Sequence, residues 1–152
     1  MDLYALWQKL ARRPFGRRVF TVLFSFKAPY FGSIRPLVTA IDPNHAEVVI
    51  RNRRRVHNHI GTVHAIALCN GLEMAMGALA EASIPRDKRW IPRGMDVAYT
   101  AKATSDITCI AETDPAAWTS DNPDLPVRVT GVRTDGTVVI EGTIRLWVTP
   151  KK

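Results

Sequence analysis

With only two cysteines in 152 residues, the chain has no material for a disulfide framework. Cys69 and Cys109 both fall in apolar segments and read as reduced thiols of a cytoplasmic protein. A secretory leader is not expected either, because the N-terminus lacks a short apolar core followed by a small-residue cleavage site. Neither a zinc-finger spacing nor an aromatic-glycine RNA-binding signature occurs, so no nucleic-acid partner is expected. Acidic residues are scarce, 14 Asp and Glu against 21 Lys and Arg, for a net charge of +7. That balance favours anionic partners such as phosphate-bearing metabolites or anionic lipid. Repeats and low-complexity tracts are absent, and the length suits one domain.

What is present is one long apolar run, Ala65 to Ala82, read as a helix of about five turns opened by Thr62 as N-cap. The run leaves no continuous polar face, which predicts burial on all sides. It is about long enough to span a bilayer, but Asn70, Glu73 and its many small residues argue for a protein core instead. Glu73 stands in its middle with Cys69, Asn70, Met76 and Gly77 as helical neighbours, so no cation on the same helix pairs with it. A carboxylate placed there is costly unless it has a task, and desolvation would make it a stronger base.

Before this helix, Leu3 to Lys9 and Arg18 to Phe26 carry helical apolar spacing, and Lys9, Arg12, Arg13, Arg17 and Arg18 cluster where they meet. Residues 1–28 thus read as a helical N-terminal extension. It is either a lid packed on the main sheet or, for residues 1–27, a membrane-surface contact; the lid is the simpler reading. Residues 29–152 read as a single domain. Strands are expected at Ser33–Ile41 and His45–Arg51, joined by Asp42-Pro43-Asn44, with a basic run from Arg51 to Arg55 closing the second. After the helix and a charged connection, strands are expected at Val97–Ala103 and Ile107–Glu112, followed by a loop over Asp114–Pro126. A hairpin then runs through Leu125–Arg133 and Thr137–Thr149, closed by Asp135-Gly136 as a primed-turn pair. Consecutive, hairpin-linked strands bury such a helix only by curling around it, which makes the class α+β with an antiparallel sheet wrapped on one long central helix.

The helix entrance carries Asn58, Gly61-Thr62 and His64, with Glu73 nine residues after the histidine. This pattern, with the order of elements over residues 29–149, resembles the hotdog fold and, more narrowly, its PaaI-like acyl-CoA thioesterase branch with its uncharacterised domain-of-unknown-function relatives. The resemblance implies hydrolysis of an acyl-CoA or acyl-carrier thioester without metal or separate cofactor, coenzyme A being part of the substrate. It assigns Glu73 to activation of water and Asn58 to its orientation. Polarisation of the thioester oxygen falls to the helix entrance at Gly61, Thr62, His64, Ala65 and Ile66, with Ala65 and Ile66 as backbone donors. It also implies a homodimer or dimer of dimers, because one helix does not bring its own start and its own Glu73 to one carbon. The family's His-Gly-Gly reads His64-Ala65-Ile66 here, and its strand-start Ser or Thr falls in Trp90-Ile91-Pro92-Arg93.

Lys102 stands where relatives often carry a basic residue, and Arg53, Arg54, Arg55, Arg86 and Arg89 would suit the phosphates of coenzyme A. An apolar tunnel beside Met74, Met76 and Leu79 is expected to take the acyl chain. Three alternatives stay open. One is a non-catalytic acyl-CoA or lipid-binding protein, another a membrane- or partner-docking module. The third is a hydratase or dehydratase using His59, fourteen residues before Glu73. A metal site is not expected, since a third ligand at suitable spacing is missing.

Overall fold

The structure, a computed structural model, describes residues 2–151. Helix α1 (Leu3–Leu10) is capped by Asp2, whose carboxylate accepts from Ala5 N at 2.9 Å. Helix α2 (Gly16–Lys27) follows, then a 3₁₀ turn at Pro29–Ile34. Strands β1 (Leu37–Asp42) and β2 (His45–Ile50) lead to the long helix α3 (Ala65–Ser83). The chain ends in β3 (Lys88–Tyr99), β4 (Ile107–Glu112), β5 (Asp124–Arg133) and β6 (Val138–Pro150).

The six strands form one sheet in the order β1-β2-β4-β5-β6-β3, antiparallel at every pairing. The alternation of β2, β4 and β5 sends Ala46, Val48, Ile50, Ile107, Cys109, Ala111, Val127 and Val129 to one face, all fully buried. Against that face lies α3, whose Leu72, Met74, Ala75 and Leu79 are fully buried. Each large side chain buried in this way stabilises the fold by about 1.5–3 kcal/mol. Close approach is possible because Gly71 faces the sheet: a Cβ there would sit 2.5 Å from Ile50 Cδ1 and 2.8 Å from Cys109 Sγ. Ser83 closes the far end of the helix by accepting from Asn44 N at 2.8 Å in the β1–β2 turn.

The N-terminal helices join this same core. Leu3, Trp7, Phe20 and Phe24 are buried with it, and an aromatic chain runs Trp7–Phe20–Phe24–Phe31 at centroid distances of 5.1, 5.9 and 5.7 Å. Thr21 Oγ1 on α2 accepts from Val38 N on β1 at 3.0 Å.

Several sequence expectations need correction. Ser33 and Ile34 belong to the 3₁₀ turn, Arg35 is left-handed (φ 48°), and Pro36 has no N–H for a ladder, so β1 starts only at Leu37. The strand expected at Val97–Ala103 is instead the 12-residue β3, paired from Lys88↔Pro150 to Tyr99↔Ile140 on β6. As the last strand of the sheet it is mostly exposed, and it bulges between Pro92 and Gly94, so it lacks the alternation that marks a half-buried strand. The expected loop at Asp114–Pro126 holds a 3₁₀ turn, Pro115–Trp118, that buries Trp118, and its end already belongs to β5. In the β5–β6 hairpin Arg133 N bonds Thr137 O and only Gly136 is left-handed (φ 86°). The connection is therefore a three-residue turn rather than a two-residue primed one.

Candidate active site

The loop before α3 is built on Asn58. Its backbone N–H donates to Thr62 O at 2.9 Å, and its side-chain oxygen accepts from Ile60 N and Thr62 N, both at 3.1 Å. Its amide donates to Thr62 Oγ1 at 2.9 Å, and Gly61 completes the turn at φ 78°. Asn58 is thus the organiser of the helix entrance, satisfying backbone groups as Asn commonly does in tight turns. Thr62 is not the N-cap. His64 is, with Nδ1 accepting from Ile66 N at 3.0 Å. That bond requires the Nδ1 lone pair, which places the ring proton of neutral His64 on Nε2. It also occupies the Ile66 N–H, so of the two donors expected for a thioester oxygen, Ala65 keeps the open position.

A cleft of about 370 Å³ opens at this entrance, lined by Asn58, Thr62, Ala65, Leu68, Tyr99 and Lys102 among others. Its far wall, residues 100–104, is pinned from several sides. Val63 N donates to Ala103 O at 3.0 Å, Thr100 N to Val139 O at 2.9 Å, and Asn52 Nδ2 to Thr104 O at 3.0 Å. Asn52 is itself held by His57 Nε2 at 2.5 Å and, through its N–H, by Asp106 at 2.8 Å. Lys102 reaches the cleft because of this scaffold, not because of a strand register.

Glu73 departs from expectation. α3 is not buried all round: Ile66 and Glu73 are exposed, with Ala65, Ala67 and Cys69 half-buried beside them. They form one open stripe, and Glu73 reaches solvent from it. The carboxylate borders a second cleft, of about 280 Å³, walled by Leu3, Phe24, Lys27, Met76 and Trp90. Trp90 is fixed there by donating to Glu81 at 3.1 Å. Of the three residues expected beside an acyl tunnel, Met74 and Leu79 are fully buried and Met76 lines this cleft. From Ala65 to Glu73 the helix rises about 12 Å, and the two clefts are separate within one chain.

On α3 between them lies Cys69, with Tyr99 of the entrance cleft beside it. Burial pushes the Cys69 thiol up, the Tyr99 hydroxyl beside it pulls the other way, and the Glu73 charge raises it further. Tyr99 was not singled out from sequence. Its place at the end of an exposed strand depends on the β3–β6 register.

The basic candidates are scattered. Lys102 alone lines the entrance cleft. Arg53 lies in a groove with Arg18, Arg35 and Arg51, while Arg55 Nε donates to Ser33 O at 3.1 Å. Arg54 and Arg86 are exposed, and Arg89 Nε donates to Thr149 Oγ1 at 3.3 Å on β6. His59 is exposed and does not line the entrance cleft. Among the described residues no group of three or more His, Cys, Asp or Glu is arranged to hold a metal ion.

The sequence profile of a domain-of-unknown-function family, DUF4442, matches residues 16–148. The crystal structure of the structural-genomics protein APC5556 is similar over 99% of this chain and 100% of its own, with 39% identity and a TM-score of 0.86. A Pseudomonas aeruginosa protein of unknown function, called a probable thioesterase, aligns over 95% of this chain and 96% of its own at 19% identity and a TM-score of 0.77. A Haemophilus influenzae thioesterase aligns over 93% and 95% at 11% identity and a TM-score of 0.73. No curated protein matches the chain.

Proposed function

This chain belongs to the domain-of-unknown-function family DUF4442 and has a thioesterase-like hotdog fold, and we propose that it hydrolyses acyl thioesters at a site shared by two subunits. The observation that carries this reading is the division of the chemistry along α3. The entrance cleft holds donors and a cation but no carboxylate, while Glu73 stands about 12 Å further along, exposed on the same helix. A second copy that lays its open α3 stripe against the first brings the carboxylate of one subunit to the entrance of the other.

In that assembly Glu73 is covered by the partner and acts as the general base. It takes a proton from water as the water oxygen attacks the thioester carbon. The Ala65 N–H, at the positive end of the α3 dipole, receives the developing oxyanion. Collapse of the tetrahedral species expels the thiolate, which leaves with the proton that Glu73 holds. Asn58 shapes the entrance that presents Ala65, and Lys102 meets phosphate on the carrier. The acyl chain lies in the cleft of Met76, Phe24 and Trp90, beside the Glu73 that acts on it.

Thiol release from short, long and aromatic acyl-CoAs tests this, comparing wild type with Glu73→Ala and Asn58→Ala. Loss of Glu73 is expected to lower turnover by about 10²–10⁴-fold with folding retained. Activity indifferent to Glu73 on every thioester tried would sink the mechanism. Mixing the two inactive variants sharpens it: with random exchange, about a quarter of the sites regain both parts and a comparable share of the activity returns.

The capping of Ile66 N–H by His64, together with the exposed Ile66 side chain at the entrance, favours a second reading, an acyl-thioester-binding protein without turnover. Saturable binding of an acyl-CoA with no thiol release would mark it.

A further inference from the structure

Helix α2 has two apolar faces. Phe20, Thr21 and Phe24 are buried against the core, whereas the opposite side exposes Phe15 (75%), Val19, Val22 (67%), Leu23 and Phe26 (85%) to solvent. At 100° per residue these five side chains occupy an arc of about 100°, continuous rather than scattered. Tyr30, in the 3₁₀ turn that follows, adds a further exposed ring.

Cations border this stripe. Arg18 and Lys27 fall on its two sides along the helix, and Arg12, Arg13 and Arg17 are exposed just before and at its start. Arg18 lies over the Phe15 ring, 6.0 Å from its centroid. Beside Val22 the surface dips into a groove of about 360 Å³ lined by Arg18, Arg35, Arg51 and Arg53. Among the described residues none of these four arginines makes an ion pair. The stripe and the groove meet at Val22.

We propose that the outer face of α2 docks the protein on an anionic lipid surface, with Phe15, Val19, Val22 and Phe26 entering the headgroup–acyl boundary and the four-arginine groove receiving a lipid phosphate. The charge pattern chooses this occupant. An apolar stripe rimmed by arginines matches a membrane that is apolar below a layer of phosphates. A second copy placed on the same face would bring two such rims together and repel. Helix α2 packs its inner side on β1 through Thr21, which leaves the outer face exposed. The inner side of the same helix supplies Phe24, and its flank Lys27, to the apolar cleft beside Glu73. The docking surface itself does not depend on the hydrolase reading.

The test uses the full chain with sedimented vesicles of phosphatidylcholine alone and of phosphatidylcholine mixed with phosphatidylglycerol. Binding is expected to the anionic vesicles only, and to fall steeply with added salt. Replacing Val22→Ser with Phe26→Ser, and separately Arg18→Gln with Arg51→Gln, is expected to weaken partitioning about tenfold or more in each case. All four side chains are exposed or at the groove rim, so an unchanged thermal midpoint verifies folding. Absence of binding to anionic vesicles, or full-strength binding by both double variants, overturns the proposal. So does a change of oligomeric state in the serine variant without a change in vesicle binding, which would assign the face to a second copy.

Discussion

At one edge of the sheet, α2 lies against β1 and takes a backbone donor of that strand, Val38 N–H, onto Thr21 Oγ1. At the other edge β3 pairs with β6; in its second half Asp96 and Ala98 point away from the core and are exposed, while Tyr99 lies on the other side, toward Cys69. The two halves of β3 also differ. The first carries Lys88, Arg89, Pro92, a bulge and Arg93, which stacks on Trp147 at 4.3 Å. Charge, proline and bulges are the usual means of stopping one sheet from adding to another. From Met95 onward there is no proline or bulge and Asp96 is the one charge, and that half ends beside Cys69 on α3. The contrast teaches where the second copy required by the proposed shared site is to be sought: on the second half of β3 and the open stripe of α3.

The largest expected effect follows from breaking that edge. Ala98→Pro is predicted to abolish self-association and, with it, nearly all thioester turnover, about 100-fold or more, because each site loses one of its parts. Analytical ultracentrifugation beside a thiol-release assay reads both, and a fully active monomer would refute the shared site. A second prediction concerns the floor beneath the site. Gly71→Ala puts a methyl 2.5 Å from Ile50 Cδ1 and is expected to cost about 1–3 kcal/mol through overpacking, read by urea unfolding.

The covered edge gives a comparable test. Thr21→Val leaves the Val38 N–H without its acceptor in a buried place, for an expected loss of about 1–3 kcal/mol, with no change in self-association. A shift in oligomeric state instead would mean that the β1 edge also takes part in assembly. The smallest effect concerns acid. A hydrogen bond from Arg145 and the nearby Arg93 hold Asp124 below the ordinary carboxylate range. Its folded-state value is depressed, so the stabilisation is complete above the unfolded value of about 4 and is lost as pH falls through the folded one. Asp124→Asn should therefore flatten part of the stability loss between neutral and acidic pH, measured as thermal midpoints along a pH series.

Much of this architecture was legible in the residues. The apolar run Ala65–Ala82 is the helix α3 almost to the residue, since a sequence with so few polar positions has only the interior to occupy. Asp42-Pro43-Asn44 and Asp135-Gly136 do turn the chain, with Asn44 and Gly136 in the left-handed conformations that their types allow. The spacing of Asn58, Gly61-Thr62, His64 and Glu73 led to the hotdog fold because it combines a loop, a helix start and a helix position in one register. The site was less legible. Thr62 looks like the better cap by residue type, yet His64 takes the role because Thr62 Oγ1 is engaged by the Asn58 amide. A local rule ranks single residues, and here a neighbour had claimed the favoured one.

The sequence by itself determined the elements whose cause is local: the long helix, the turns, the strands whose alternation reflects one buried face, and the excess of positive charge. Tertiary structure decided everything that depends on which strand lies beside which. It made β3 an edge, and therefore long and exposed where alternation foretold little. It set Lys102 in the entrance cleft through bonds from Asn52 and Val63 and one to Val139, residues distant in sequence. It left Glu73 facing outward from a helix whose composition suggested burial on every side. The physical reason is common to these cases. Periodicity records how a segment divides its surface between apolar and polar neighbours, but only the arrangement of the whole chain says which neighbours are present and which face is left open.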